Sequence, residues 1–170
     1  MSALSWRLAS RTAVALLLLV VLSGRIGAQN RRTVLTVSGL PLSVTNPTAT
    51  DFEAGSVSLG SSTFSVDLTT NVGGGFPVRV TTVNVRCQTA CPNSGTLPVS
   101  ALQWRRSDLG TWNTLTTGFA LVETRTATFN GTNDPWSNSI FWRYLLSWTG
   151  TPPTAATQFR IDFQLVVTAP

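Results

Sequence analysis

Trp136 and its neighbours are the residues of this sequence whose types best fit the binding of a ligand. Trp136 lies in a polar segment between Asp134 and Asn138. The flat face of an indole ring can stack on a sugar ring, and tryptophan is rarely buried completely. Trp136, Asp134 and Asn138 are therefore the candidate ligand contacts, and the ligand class that they indicate is a glycan.

Three other tryptophans fit a hydrophobic core better than a binding surface. Trp142 and Trp148 fall on one face of a predicted strand, together with Ile140, Tyr144 and Leu146. Trp104 follows Leu102 at the same two-residue spacing, so we expect it in the same core. A carbohydrate-binding surface needs at least two exposed tryptophans on one face, whereas a structural protein buries them.

The two cysteines, Cys87 and Cys91, are separated by three residues. A metal site would need further thiolate or imidazole ligands, and a redox pair of the thioredoxin type has two intervening residues. In an exported protein, closely spaced cysteines form a local disulfide. We therefore predict a Cys87–Cys91 disulfide, with no metal site and no cofactor.

Catalysis has little support among the remaining residue types. The sequence contains no histidine, so its serines lack the base that usually activates them. Asp51 and Glu53 are the only acidic residues close together, but a glycosidase needs two carboxyl groups that face each other across a cleft. We expect this pair on the solvent-facing edge of a strand, in a protein that is not an enzyme.

The first 28 residues have the layout of a secretory signal peptide. Arg7 and Arg11 precede an unbroken apolar run over residues 13–22, and small residues follow up to Ala28. The alternative, a retained membrane anchor, needs about 18 apolar residues or more, and this run is too short. We predict cleavage after Ala28, a secreted or cell-surface location with the periplasm as an alternative, and no membrane span in the mature protein.

Residues 29–170 then form one domain by length, with nine arginines against seven acidic residues. Proteins that bind nucleic acids need a clustered excess of positive charge. Here the only runs are the pairs Arg31-Arg32 and Arg105-Arg106, which we interpret as solvated surface. We expect no nucleic-acid partner.

Threonine is the commonest residue after position 28, and valine is plentiful. Branching at Cβ suits a pleated surface better than a helix, so the composition predicts an all-β protein. About eight or nine short strands with turn residues between them favour a two-sheet antiparallel sandwich, immunoglobulin-like or jelly-roll-like, over a barrel. Besides the strands discussed below, the predicted strands cover residues 33–37, 56–59, 63–68, 102–106, 111–116 and 119–129.

Two details of strand connection also follow from alternation. The long aromatic strand is the one that carries residues 140–148, and in the last strand residues 159, 161, 163, 165 and 167 share an apolar face. A Pro-Pro turn separates these two strands, which predicts a hairpin. Between residues 78 and 85 the valines change parity across Thr81-Thr82, which predicts a β-bulge there.

The order of these features resembles a group of known proteins. A signal peptide and an opening strand are followed by the segments LQWRR (102–106) and TW (111–112), a long aromatic strand and a final amphipathic strand. In this layout the chain is similar to small secreted bacterial β-sandwich proteins, including spore-coat-U-like and pilin-like surface proteins. The resemblance implies a structural or adhesive component of the cell surface. In place of the aromatic residue that chaperone-assembled pilins carry before the C-terminus, this chain has Ala169-Pro170.

The hypothesis that follows is a secreted or cell-surface, non-enzymatic structural or adhesive protein. Its partner would be a second copy of the chain or another surface protein, because a strand near either terminus can lie at a sheet edge and pair with a neighbour. The alternative is a carbohydrate-binding module that uses exposed aromatic residues.

Overall fold

Ten β-strands, one short α-helix and one 3₁₀ turn (Val99–Ala101) lie in the part of the chain that the computed structural model describes, which is residues 31–70, 79–88, 91–92, 96–107, 109–127 and 135–168. The predicted signal peptide, residues 1–28, lies outside these ranges. Among the described residues, no helix is long and apolar enough to cross a membrane. The strands are β1 (Arg31–Ser38), β2 (Leu42–Ser43), β3 (Ser56–Thr70), β4 (Arg79–Cys87), β5 (Leu102–Arg106), β6 (Asn113–Thr114), β7 (Ala120–Ala127), β8 (Trp136–Leu145), β9 (Gln158–Phe159) and β10 (Ile161–Thr168).

The strands form two main antiparallel sheets. The larger sheet has the order β1-β3-β8-β5-β6, and the smaller has the order β10-β4-β7. A two-stranded ribbon of β2 and β9 accompanies them. The prediction of an all-β, two-sheet antiparallel sandwich is confirmed.

Apolar side chains at alternate positions of the facing strands form the core. On β8 the inward residues are Ile140, Trp142 and Tyr144, all nearly inaccessible to solvent. Phe64 of β3 meets Phe163 of β10, with their ring centroids 6.2 Å apart, so the two sheets are in direct contact. The predicted burial of Trp142 and Trp104 is confirmed, and the two rings lie opposite each other on β8 and β5.

Strand β3 unites two predicted strands, residues 56–59 and 63–68. Val57 and Leu59 point inward at odd positions, whereas Phe64, two residues after buried Ser62, points inward at an even position. The pairing with β8 shifts between Ser58 and Gly60, which leaves Leu59 as the extra residue of a β-bulge. Gly60 has φ = 81°, a value that glycine adopts without steric cost. Because of the bulge, apolar side chains on both sides of it point into the core. One continuous strand therefore contributes to the core along its whole length.

The bulge predicted at Thr81-Thr82 is wrong. Thr81 is buried in the same phase as Val83 and Val85, and its hydroxyl donates to the carbonyl oxygen of Arg125 at 3.2 Å. A threonine can take an inward position when its hydroxyl has such a partner. The register shift lies at Val83/Asn84 instead, and the extra residue belongs to the partner strand β7.

The predicted hairpin between the last two long strands is also wrong. β8 pairs with β3 and β5 in the larger sheet, whereas β10 pairs with β4 in the smaller one. The segment between them crosses from one sheet to the other and contributes β9 to the ribbon. Both strands have an apolar face, and alternation cannot show that the two faces belong to opposing sheets.

The predicted strand edge at Asp51 and Glu53 is a helix, α1 (Ala49–Glu53). Thr48 caps its N-terminus, with a capping box in which the Thr48 and Asp51 side chains each bond to the other's backbone N–H. The sequence Thr-x-x-Asp thus outweighs the strand propensity of the neighbouring residues. The two carboxylates therefore do not share a strand face.

The disulfide between Cys87 and Cys91 is confirmed, with a Cα–Cα distance of 5.5 Å. It connects the end of β4 to the following loop. Because its ring is short, loop-closure entropy assigns it a stabilisation of only about 2 kcal/mol. It secures this loop and does not determine the fold.

One buried polar contact in the larger sheet gives a first prediction. Trp142 Nε1 donates a hydrogen bond of 2.9 Å to the Ser62 hydroxyl, and both residues are buried. Replacing Ser62→Ala leaves the indole N–H without a partner, so we expect a loss of about 1–3 kcal/mol in the free energy of unfolding, measured by urea denaturation. The matched control is Ser61→Ala on the exposed face, expected to change this free energy by less than about 0.5 kcal/mol. Equal losses in the two variants would contradict the assignment.

Candidate ligand-binding site

Of the predicted ligand contacts that the structure describes, Trp136 is buried and Asn138 is half-buried. Trp136 begins β8, is only 7% exposed and meets Phe64 edge to face, with a centroid distance of 5.5 Å. The Asn138 amide is occupied, since its oxygen accepts from the Ser107 hydroxyl and its nitrogen donates to Glu123. Asp134 lies outside the described residues. Trp136 has the same parity as Ile140 and Trp142, a signal that assigns it to the core rather than to the preceding loop.

Trp148, predicted in the core, is 70% exposed. Strand β8 ends at Leu145, and the chain then forms a turn in which Gly150 N donates to the Ser147 carbonyl oxygen at 3.1 Å. The alternation that placed Trp148 inward therefore no longer applies. Its ring stacks on Phe52 of α1, with centroids 4.8 Å apart.

A cleft of about 340 Å³ lies on the outer face of the larger sheet. Three neighbouring strands contribute to it, because the residues between the inward positions of β3, β5 and β8 all point to this side. The cleft is lined by Asp51, Ser56, Ser58, Arg105, Trp112, Phe141, Trp142 and Arg143.

Strand register orders these residues along the cleft. Arg105 of β5 lies opposite Phe141 of β8, and Arg143 lies opposite Ser58 of β3. Ser56 pairs with Leu145, two positions further along β8, and lies next to the segment that connects α1 to β3. The register positions of Arg105 and Ser56 are four residues apart along the strands, about 14 Å at a rise of about 3.4 Å per residue, and β8 lies between their two strands.

Two arginines and two aromatic rings form a cluster at the Arg105 end of the cleft. The guanidinium carbon of Arg143 lies 4.2 Å from the centre of the Trp112 ring, and that of Arg105 lies 5.0 Å from it. Arg105 is also 5.3 Å from the centre of the Phe141 ring. Such contacts contribute about 0.5–1 kcal/mol each at exposed sites, and they fix the orientation of the guanidinium planes.

The hydrogen-bond donors of this cluster are only partly used. Arg143 Nε donates to Gln103 Oε1 at 2.9 Å, whereas Arg105 Nε is buried and has no hydrogen-bond partner. In the part of the chain that the structure describes, neither guanidinium forms an ion pair with an acidic side chain. Arg105 therefore differs from the solvated surface predicted for it. Two fixed cations with free N–H groups can bind an anionic group of a ligand.

Asp51 supplies the opposite charge at the other end. Its Oδ2 accepts hydrogen bonds from the backbone N–H of Thr48 at 2.8 Å and from the Thr48 hydroxyl at 2.7 Å. These two bonds, the backbone one first, lower the pKa of Asp51 below its ordinary value. The carboxylate stays ionised and can accept hydrogen bonds from a ligand with its other oxygen.

The cleft was not predicted from the sequence, although its parts were visible. Arg105, Phe141 and Arg143 stand at outward positions of predicted strands, but their proximity depends on the pairing of β5 with β8. Among the described residues, no group of three histidine, cysteine or acidic residues is arranged to hold a metal ion. No protein-family model matches the chain, and no curated protein or solved structure is significantly similar to it.

The capping box gives a second prediction. Because the pKa of Asp51 is lower in the folded state, its ionised form stabilises the fold above the unfolded-state pKa, and this contribution is lost as the pH falls through the folded-state pKa. The difference in unfolding free energy between wild type and Asp51→Asn should therefore shrink between neutral pH and about pH 2.

Chemical denaturation at a series of pH values measures this difference. Asp67→Asn, on the exposed face of β3, is the control for a general charge effect. Thr48→Val should raise the Asp51 pKa only in part, as followed by carboxyl NMR titration, because the backbone donor remains. A wild-type to Asp51→Asn difference that does not change with pH would contradict the prediction.

Proposed function

We propose that this protein is a secreted or cell-surface, non-enzymatic adhesive β-sandwich protein that binds its ligand in the cleft on the outer face of the larger sheet. The observation that carries the proposal is the cluster of Arg105, Arg143, Trp112 and Phe141, in which cationic and aromatic groups converge on open space. Function in such a domain resides in the site and not in the fold.

Export is supported by two independent features. Arg7 and Arg11, the apolar run and the small residues up to Ala28 follow the layout of a signal peptide. The Cys87–Cys91 disulfide is compatible with an oxidising compartment, where such bonds persist. A location outside the cytoplasm is where an adhesive domain would meet its ligand.

A binding role is favoured over catalysis by the residues that line the cleft. Its single carboxylate, Asp51, is engaged in the capping box and has no second carboxyl group opposite it among the lining residues. The sequence contains no histidine to act as a base. The lining groups are suited to holding a ligand through hydrogen bonds, charge and aromatic contact.

A glycan is the ligand class that the cleft supports best, although the protein lacks the surface of two exposed tryptophans expected above: among the tryptophans that the structure describes, only Trp148 is exposed. Phe141 is 38% exposed, and an apolar ring edge or face can pack on the C–H groups of a sugar. Ser56 and Ser58 offer hydroxyls, and Asp51 offers a carboxylate, to sugar hydroxyls in the same cleft. Half-buried Phe52, the residue after Asp51, stacks on exposed Trp148.

This proposal gives the third prediction. Phe141→Ala should weaken glycan binding about ten-fold, equivalent to about 1.4 kcal/mol, because it removes the exposed ring and a contact of Arg105. A glycan array identifies the bound sugars, and titration calorimetry with the best of them gives the affinities. Phe119→Ala is a matched control, since Phe119 is 41% exposed and has Arg86 4.4 Å from its ring centre, away from the cleft. Equal losses in the two variants, or no bound glycan, would contradict the proposal.

Self-association through a sheet edge is a second candidate function. β1 is an outer strand of the larger sheet and β10 an outer strand of the smaller one, as expected for strands near the termini. Each therefore has one side whose backbone groups can pair with a strand of another copy. β1 also pairs with β3 along its whole length, so it belongs to its own sandwich and is not a free donor segment.

Of the two outer strands, β10 offers the more direct test of self-association. Val166 is exposed on β10, and Leu121 is exposed on β7 at the opposite edge of the same sheet. If copies associate through β10, sedimentation velocity of the exported protein should show a dimer at high micromolar concentration, and Val166→Lys should abolish it because edge lysines oppose strand pairing. Leu121→Lys should have no effect. Sedimentation of wild type only as a monomer would remove this candidate.

A further inference from the structure

We propose that the cleft binds an acidic polysaccharide, with the carboxylate of a uronic acid residue held by Arg105 and Arg143 and the sugar hydroxyls directed to Asp51. This inference rests on the proposed glycan-binding function and specifies the class of glycan. It depends on three properties of the cleft: the way the guanidinium groups are held, the terminal nitrogens of Arg105, and the separation of charges along the cleft.

The aromatic contacts leave the arginine donors available. A guanidinium group that lies over a ring uses its flat face, while its N–H groups point outward in its own plane. Arg143 donates one of these hydrogen bonds, from Nε, to Gln103, and its terminal nitrogens remain available to a ligand. A planar carboxylate matches two in-plane N–H groups better than a neutral hydroxyl does, because the pair is charge-assisted and bidentate.

Arg105 offers its terminal nitrogens to the cleft. Its Nε is buried and has no hydrogen-bond partner, so a ligand in the cleft does not reach this atom. The terminal nitrogens are not among the buried unpaired atoms. They are the donors that an anionic oxygen bound beside the Phe141 ring would meet.

The opposite end of the cleft is suited to sugar hydroxyls. Asp51 lies there with Ser56, whose register position is four residues along the strands from that of Arg105 and two strands across. The ionised carboxylate of Asp51 accepts hydrogen bonds from O–H donors. An oligosaccharide that contains uronic acid can place one carboxylate at the arginines and hydroxyls of a neighbouring sugar at Asp51. An acidic peptide offers carboxylates but lacks these hydroxyls.

Calorimetric titration with trigalacturonate tests this inference. The protein is the exported form from cells that express the full chain, and the reference ligand is the methyl ester of the same trisaccharide, which lacks the charges. We expect the ester to bind at least ten-fold more weakly than the acid. Arg105→Gln and Arg143→Gln should each lower the affinity for the acid at least ten-fold, and each should bring the ratio of acid affinity to ester affinity towards one.

Two further variants keep the result interpretable. Arg160→Gln removes the same charge from a separate groove, lined also by Leu40, Pro41 and Gln88, and should retain wild-type affinity. Arg105→Lys keeps the charge but loses the planar pair of donors, so its affinity should fall between those of wild type and Arg105→Gln. Thermal unfolding of each variant shows whether it is folded.

The outcomes separate this inference from the proposed function. If the acid and the ester bind equally well, the glycan-binding proposal stands and the inference that the ligand is acidic is wrong. If other glycans bind and trigalacturonate does not, the inference is likewise wrong. If no glycan binds, both proposals fail. Tighter binding of oligoglutamate than of trigalacturonate, or an equal loss in Arg160→Gln, would overturn the inference in favour of an acidic peptide or of unspecific charge attraction.

Discussion

Strand β8 positions both the core and the cleft through the alternation of its inward and outward side chains. Its inward residues, Ile140, Trp142 and Tyr144, fill the centre of the core, and Trp142 is fixed there by its hydrogen bond to Ser62. The residues between them, Phe141 and Arg143, must then point to the outer face. The same packing that stabilises the sandwich thus presents an aromatic ring and a cation to solvent at fixed positions. A shift of one residue in register would exchange the two sets and destroy core and cleft together.

The neighbours of β8 convert this pattern into a site. β5 places Arg105 beside Phe141, and β3 places Ser58 beside Arg143. Two arginines so close repel each other, and the Trp112 ring that both contact offsets part of this repulsion. The cluster is therefore held by packing on rigid strands and not by ion pairs that would neutralise it. A cationic site that keeps its charge in this way remains available to a ligand.

The sequence predicts the individual strands better than their relations. Strand β5 has the predicted bounds, because Leu102 and Trp104 alternate with polar residues and turn residues follow. Alternation cannot show where a strand ends, so it predicts Trp148 in the core although β8 ends at Leu145. It also cannot show which strands are neighbours. The contact of Arg105 with Phe141 joins residues 36 positions apart in the chain, and it follows only from the order β3-β8-β5.

The short helix α1 explains why the two ends of the cleft differ in charge. Thr48 and Asp51 satisfy each other's backbone donors, which favours a helical turn where the flanking sequence favours strands. Gly55, with φ = 70°, then lets the chain reverse into β3 without steric cost. The Asp51 carboxylate is consequently placed by a local motif, whereas Arg105 and Arg143 are placed by long-range strand pairing. Because separate interactions position the two charges, the acidic end can change with the helix cap while the cationic end stays with the sheet, and in the proposed binding role each end would contribute its own part to ligand selectivity.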